Sequence, residues 1–241
     1  MQPDTPLKGL PLAVFDFEAT GPIPTEAHPV SVAVVHVDLG TSDPVLAHHT
    51  LIRPPVPIPE ESSAIHGITD EAVADAPTMA EALPDLMAAL DGRMLAAFNL
   101  PYDWQILARF ASVPFVGICA YVPAKAIDKY QRGKRLSDVC ARRDVPLDAH
   151  RAESDALATA HLLPVLLRQL GRGVHRQDRY GRWHHDGPWC RPADLQTVGA
   201  YLEWQARAAR AQEADYAAYR ATQGQEPPTM PWTALTGEEA A

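Results

Sequence analysis

The chain has 241 residues with a formal net charge of −9, 46% hydrophobic and 21% charged residues, the balance of a globular protein with room for a sizeable core. No apolar run reaches the ~18 residues of a bilayer span, the first residues lack the basic-then-apolar layout of an export signal, and Cys119, Cys140 and Cys190 suit neither a disulfide framework nor a Cys-x-x-Cys zinc site. A cytoplasmic protein without membrane contact is expected, and the acidic balance argues against one that coats nucleic acid through bulk charge.

Leu12 to Gly21 is an apolar run that ends in Asp16-Phe17-Glu18-Ala19-Thr20-Gly21. As a buried strand it turns Phe15 and Phe17 to one face and Asp16 and Glu18 to the other. Two acids then share a small volume, which calls for shared protons or a bound cation; alone, the pair reads equally well as a strand cap and a solvated acid. Val30 to Leu39 and Val45 to Ile52 alternate and are β-branched, so the first three strands predict an antiparallel meander. The proline-rich segment Arg53 to Glu61 reads as an extended crossing that delivers Ile65-His66-Gly67-Ile68-Thr69. Thr69 and Thr78 are candidate N-caps, the second opening a helix through Met87 and Leu90 that contains Pro84.

Further on, Arg93 to Phe98 reads as a short strand, and Asn99 to Asp103 leads into a helix with Trp104, Leu107 and Phe110 on one face. Val116 to Tyr121 is another strand candidate, while Leu136 to Arg143 and Glu153 to Leu170 read as helices, the latter kinked at Pro164. Strands first, then strands alternating with helices, predict an α/β fold with a mixed sheet and helices packed on it. Gly171 to Pro192 looks irregular and Arg-rich, and Ala193 to Ala221 helical, with a flexible tail beyond. The expected division is therefore 1–170 and 171–241. Two basic clusters, Arg132, Lys134, Arg135, Arg142 and Arg143, then Arg168, Arg172, Arg176, Arg179 and Arg182, read by default as solvated surface.

Two later stretches also place acids at element ends: Asp103 at a strand-to-helix join, and His150-Arg151-Ala152-Glu153-Ser154-Asp155 at the start of a helix. Four carboxylates and a histidine so placed can converge. Mg²⁺ and Mn²⁺ prefer carboxylate and water oxygens, and a cage of acids can hold two such ions about 3.5 to 4 Å apart, an arrangement suited to phosphodiester hydrolysis. His150 can take a proton near neutral pH.

Over residues 10 to 168 the chain resembles the DEDDh subgroup of the DEDD (DnaQ-like) 3′-to-5′ exonuclease superfamily, which includes proofreading subunits of bacterial DNA polymerase III. The first family motif is similar to Asp16 to Gly21, the second to Asn99 to Asp103 with Trp104 and Leu107, the third to His150-Arg151-Ala152 with Asp155, Ala156 and Thr159. Ile65 to Asp70 with Pro77-Thr78, and Leu136 to Cys140, resemble flanking features of the subgroup. Phe98 departs from it, standing where many members carry histidine.

The resemblance implies a ribonuclease H-like fold, a mixed five-stranded sheet with flanking helices, to which this chain adds a C-terminal helical extension. It implies Asp16, Glu18, Asp103 and Asp155 as ligands of two divalent cations, Mg²⁺ or Mn²⁺, and His150 as general base. Thr20, Gly21, His66 and Asn99 would hold the terminal nucleotide, His66 being equally well a loop-packing residue. Asp128, Asp138 and Glu153 are expected on solvated helix surface. The implied substrate is single-stranded DNA or a DNA 3′ end, beside a polymerase or repair partner; an RNA-trimming exonuclease and a catalytically silent binding subunit are the alternatives. In the tail, Leu195, Val198, Tyr201, Leu202, Trp204, Ala208, Ala211, Ala214, Tyr216 and Tyr219 recur at helical spacing. Such a stripe serves either as a brace on the core or as a surface for a homodimer or another protein, with the Arg-rich tract guiding nucleic acid.

Overall fold

The computed structural model describes residues 1–177 and 182–226; Arg179 and the tail from 227 onward, expected to be flexible, lie outside the described residues. Strands β1 (Pro11–Ala19), β2 (Pro29–Asp38) and β3 (Val45–Leu51) form the antiparallel meander, and β4 (Met94–Ala97) and β5 (Gly117–Cys119) add to it in parallel, giving the order β3-β2-β1-β4-β5. β1 is therefore the middle strand, and Leu12 to Phe15 are fully buried. Strands covered on both faces lose the alternating pattern, which is why this stretch reads as a continuous apolar run.

Helices α1 (Glu60–His66), α2 (Asp70–Val73), α3 (Met79–Leu90), α4 (Leu100–Ala108), α5 (Tyr121–Ile127), α6 (Leu136–Ala141) and α7 (Ala152–Arg172) follow in chain order. Thr69 caps α2 by accepting from the Ala72 amide, and Thr78 caps α3 in a reciprocal box with Glu81, as their positions before Asp70 and Glu81 predict. α7 is 21 residues long with Pro164 in its interior, and packs on β1, β2 and β3.

Two features differ from expectation. The proline-rich crossing ends in α1, which starts straight after Pro59; proline is tolerated at a helix entrance, so a Pro-rich approach does not exclude a helix. The stretch expected to be irregular contains a hairpin of β6 (Val174–Gln177) and β7 (Trp183–Asp186).

The final helix, α8 (Val198–Thr222), divides its stripe. Val198, Tyr201, Trp204 and Ala209 join the main core, whereas Tyr216 and Tyr219 stay exposed. Gln205, 1% exposed, donates through Nε2 to the Gly117 carbonyl at 2.9 Å and accepts from the Cys119 amide at 2.9 Å. One side-chain amide thus supplies the donor and acceptor that a further strand would offer to β5. Gly117 fits because a Cβ there would come within 2.5 Å of the Leu95 carbonyl oxygen. Among the described residues no helix is long and apolar enough to cross a membrane.

Candidate active site

The C-terminal half of β1 carries Asp16 and Glu18, and the first turn of α7 brings Asp155 to them. One carboxylate oxygen from each lies within 4.8 Å of the other two. Asp155 Oδ2 accepts the His150 amide at 3.3 Å, while its Oδ1 is buried without a hydrogen-bond partner. Asp103, 3% exposed in the first turn of α4, accepts the Phe17 amide through Oδ1 at 3.1 Å. That contact binds it to β1 between Asp16 and Glu18, beside the three-carboxylate set but outside it.

Burial raises all four carboxyl groups, and the charged neighbours that act on them most are other acids. Asp16 stands well above the usual carboxylate range, through burial first and then Asp103, Asp155 and Glu18. Glu18 is pushed to about 7 by burial, Asp155 and Glu153. Asp103 reaches about 8 through burial, opposed by the Phe17 amide and assisted by Glu18 and Asp155. Asp155 reaches about 6 through burial, the His150 amide opposing and Glu153 and Asp148 assisting. A crowded acid set with an orphan buried oxygen is one that a hard divalent cation relieves, so the donors suit such an ion in number and chemistry.

His150 takes a left-handed backbone, φ 67°, and its side chain is exposed. For a non-glycine residue this conformation is strained, and here it accompanies the amide's contact to Asp155. His66 ends α1, followed by Gly67 at φ 74°, a left-handed cap that suits glycine. Its Nδ1 accepts the Ile68 amide at 3.1 Å, so in the neutral ring the proton sits on Nε2, which is buried without a hydrogen-bond partner. Burial, with His150 nearby, lowers its pKa, although the Ala19 carbonyl pulls the other way. His66 and His150 line one groove of about 490 Å³ together with Ser31, His49, Arg151 and Glu153. A somewhat larger groove of about 540 Å³ beside Arg93 and Met94 lies at the opposite end of the sheet from the acids.

Thr20 and Gly21 are held by their neighbours. Thr20 Oγ1 accepts the His28 amide at 2.9 Å, Ser62 donates to the Thr20 carbonyl at 2.9 Å, and the Tyr102 hydroxyl donates to the Gly21 carbonyl at 2.7 Å. Asn99 sits at the N-cap position of α4 without a side-chain capping bond, and is exposed.

Sequence reasoning missed three contributors. Tyr102 fixes the Gly21 turn from the residue beside Asp103. Glu153, expected on solvated surface, is instead held between His49 at 3.4 Å and Arg151 at 3.2 Å and helps raise Glu18; its place in the first turn of α7, two residues before Asp155, was the available signal. His49 lies on a strand whose alternation says nothing of a partner on α7. Asp128 also departs from expectation: it is 5% exposed and bound by Arg142 and Arg143 at 2.9 and 3.0 Å. Two arginines of the first basic cluster are thereby structural. Asp138 caps α6 through the Arg135 amide at 3.1 Å.

A mixed sheet whose central strand ends in half-buried acids, closed by a helix that supplies another, is the architecture of ribonuclease H-like nucleases. The RNase_T exonuclease family matches residues 13–163, and the chain belongs to that family. Among its relatives, a DNA polymerase III subunit epsilon-like protein of Rhodobacter capsulatus is 39% identical over 107 residues, 44% of this chain and 15% of that protein. The chain likewise spans 12% of the PolC-type DNA polymerase III of Thermotoga petrophila, at 29% identity. The DNA polymerase III subunit epsilon of Treponema pallidum is 26% identical, covering 64% of this chain and 74% of that one. In fold, the chain is similar to exonuclease X in complex with 5′ overhanging duplex DNA, at a TM-score of 0.53 and 24% identity over 66% of this chain and 92% of that one. A full-length 3′-exonuclease gives a TM-score of 0.57 at 16% identity, over 78% and 70%.

Proposed function

We propose that the protein removes nucleotides from the 3′ end of single-stranded DNA by hydrolysis, releasing nucleoside monophosphates. The observation that carries this reading is the triad of carboxylates within 4.8 Å, with the Asp155 oxygen left unpartnered, beside an exposed histidine. Asp16, Glu18 and Asp155, with Asp103 alongside, would hold two divalent cations, Mg²⁺ or Mn²⁺. When bound, such ions offset charge on the phosphate and make water a better nucleophile near neutral pH.

The chain's own residues do the rest. His150 accepts the proton of the attacking water, its backbone fixed through the Asp155 contact. His66 presents its buried Nε2–H to an oxygen of the terminal nucleotide, and Thr20, Gly21 and Asn99 form the adjoining wall. Asp103 holds Phe17, and with it the spacing of Asp16 and Glu18. The names of the epsilon and PolC-type relatives support DNA as the substrate and a polymerase or repair protein as partner, in the cytoplasm. The region from 171 onward is proposed as an appendage to the exonuclease unit.

The test is incubation with end-labelled single-stranded DNA, duplex, mismatched primer ends and RNA, with Mg²⁺, Mn²⁺ or EDTA. Stepwise shortening of single-stranded DNA from the 3′ end, lost in EDTA, is expected. Shortening from the 5′ end, or full activity in EDTA, overturns the reading, and preference for RNA overturns its substrate.

A further inference from the structure

The chain has four lysines, and three of them, Lys125, Lys129 and Lys134, line a single groove between α5 and the exposed end of α8. In an acidic protein this is a marked local reversal of charge. The groove has a volume of about 440 Å³ and is also lined by Trp189, Tyr216 and Tyr219. Tyr219 is 60% exposed and Tyr216 39%, and they stand three residues apart on one helix face. Neither tyrosine belongs to the hydrophobic core, and aromatic faces interleaved with ammonium groups are what a flexible strand of bases and phosphates uses.

The helix that carries Lys125 begins near the acidic site. α5 starts at Tyr121, whose amide donates to the Phe98 carbonyl at 2.8 Å and whose ring meets Phe98 edge-on at 5.9 Å. Phe98 immediately precedes Asn99. The Lys125 ammonium lies 5.7 Å from the centre of the Tyr121 ring, and the Gln212 side chain ties α8 to α5 by donating to the Val122 carbonyl at 3.0 Å. Acids are present as well: Asp215 pairs with Lys129 at 3.6 Å, both well exposed, and Glu213 and Asp215 act on Lys125. An ion pair so exposed is weak and gives way to a phosphate.

We infer that this groove binds the single-stranded nucleic acid upstream of the 3′ end, with the lysines on its phosphates and Tyr216 and Tyr219 stacked on its bases. The inference rests on the single-strand exonuclease reading of the acidic site and deepens it, moving the expected guiding surface from the Arg-rich tract to α5 and α8.

The test uses the full chain in EDTA, so that binding is read without hydrolysis: fluorescence anisotropy of a labelled oligothymidylate of about 20 nucleotides, longer than the ~4 to 16 that one site covers, across a salt series. Replacing Lys125, Lys129 and Lys134 together by Gln is expected to weaken binding at low salt by about tenfold or more and to flatten the log-log salt slope by about 2, since each single-strand phosphate contact contributes about 0.7. The pair Tyr216→Ala and Tyr219→Ala is expected to lose about tenfold with the slope unchanged. Metal-dependent cleavage of a trinucleotide should persist in both. Variants that bind the long strand like the parent chain overturn the inference, as does a dimer in light scattering that the same substitutions dissolve. Absence of cleavage on every substrate, with these binding losses intact, overturns the exonuclease reading and leaves the groove standing.

Discussion

Two groups of acid, one at the end of α5 and the other divided between β1 and the first turn of α7, are treated oppositely. Asp128 is enclosed by Arg142 and Arg143, whose guanidinium nitrogens donate to both its oxygens at 3.0 Å. Asp16, Glu18 and Asp155 are given no such partner; their neighbours are other acids, and one oxygen of Asp155 has nothing to bond. The first group is complete as folded. The second is completed only by something that enters from outside, and the cost of leaving it open is a local penalty that the rest of the sheet sustains.

The same chemical change should therefore act in opposite directions at the two places. Asp16→Asn is expected to abolish hydrolysis while raising the stability of the metal-free protein by on the order of 1 kcal/mol, because a carboxyl whose ionised form is disfavoured by burial and by neighbouring acids is replaced by a neutral amide. Asp128→Asn is expected to lower stability by about 3 to 5 kcal/mol, since two arginines lose their counter-charge. Urea denaturation in EDTA measures both, and equal losses at the two sites would make the acidic pocket structural.

His150→Gln tests the chemistry of the open group with its carboxylates left in place. A rate loss of about 10² to 10⁴ is expected, with calorimetric affinity for Mn²⁺ and the melting temperature near those of the parent. An unchanged rate and pH profile would reduce the residue to a backbone support for Asp155.

Acidity separates the groups in another way. In the metal-free fold Glu18, Asp103 and Asp155 hold protons to about 7, 8 and 6, whereas unfolded carboxyls release theirs near 4. Between those limits the native state binds more protons, so stability is fully present below about pH 4 and falls as pH rises toward 8. Melting in EDTA at a series of pH values should show this decline, and saturating Mg²⁺ should largely remove it. A metal-free protein equally stable at pH 5 and pH 8 would contradict the charge crowding.

The smallest expected effect on activity is at the sheet edge. Gln205→Leu leaves the Gly117 carbonyl and the Cys119 amide without partners inside the core, at about 1 to 3 kcal/mol each. Faster hydrogen exchange at the Cys119 amide, with trinucleotide cleavage retained, is the expected signature; unchanged exchange would mean that another group takes over the pairing.

Much of this could be read from residue order. The two-residue spacing of Asp16 and Glu18 implied a shared side of a strand, and Thr69 and Thr78 announced their helices through the acids that follow them. Local periodicity carries such information because each signal lies within a few residues. What could not be read depends on pairs distant in the chain: Gln205 with Gly117, His49 with Glu153, and the left-handed turn of His150 beneath Asp155. Asp128 looked solvated because nothing in its neighbourhood shows that Arg142 and Arg143 fold back over it.

The pairing of Gln205 with β5 also sets an order on biosynthesis. Leu7 donates to the Gln196 carbonyl at 3.0 Å, Val198 to that of Thr5 at 2.9 Å and Gly199 to that of Pro3 at 2.8 Å, so a segment made before β1 is tied to one made after α7. A nascent chain that has emerged through α7 holds every acid of the pocket, yet its β5 edge is open and residues 3 to 7 have no mate. Until residue 205 is released, the newborn sheet presents unpaired amides to any passing strand, the kind of vulnerable interval that nascent-chain chaperones shelter.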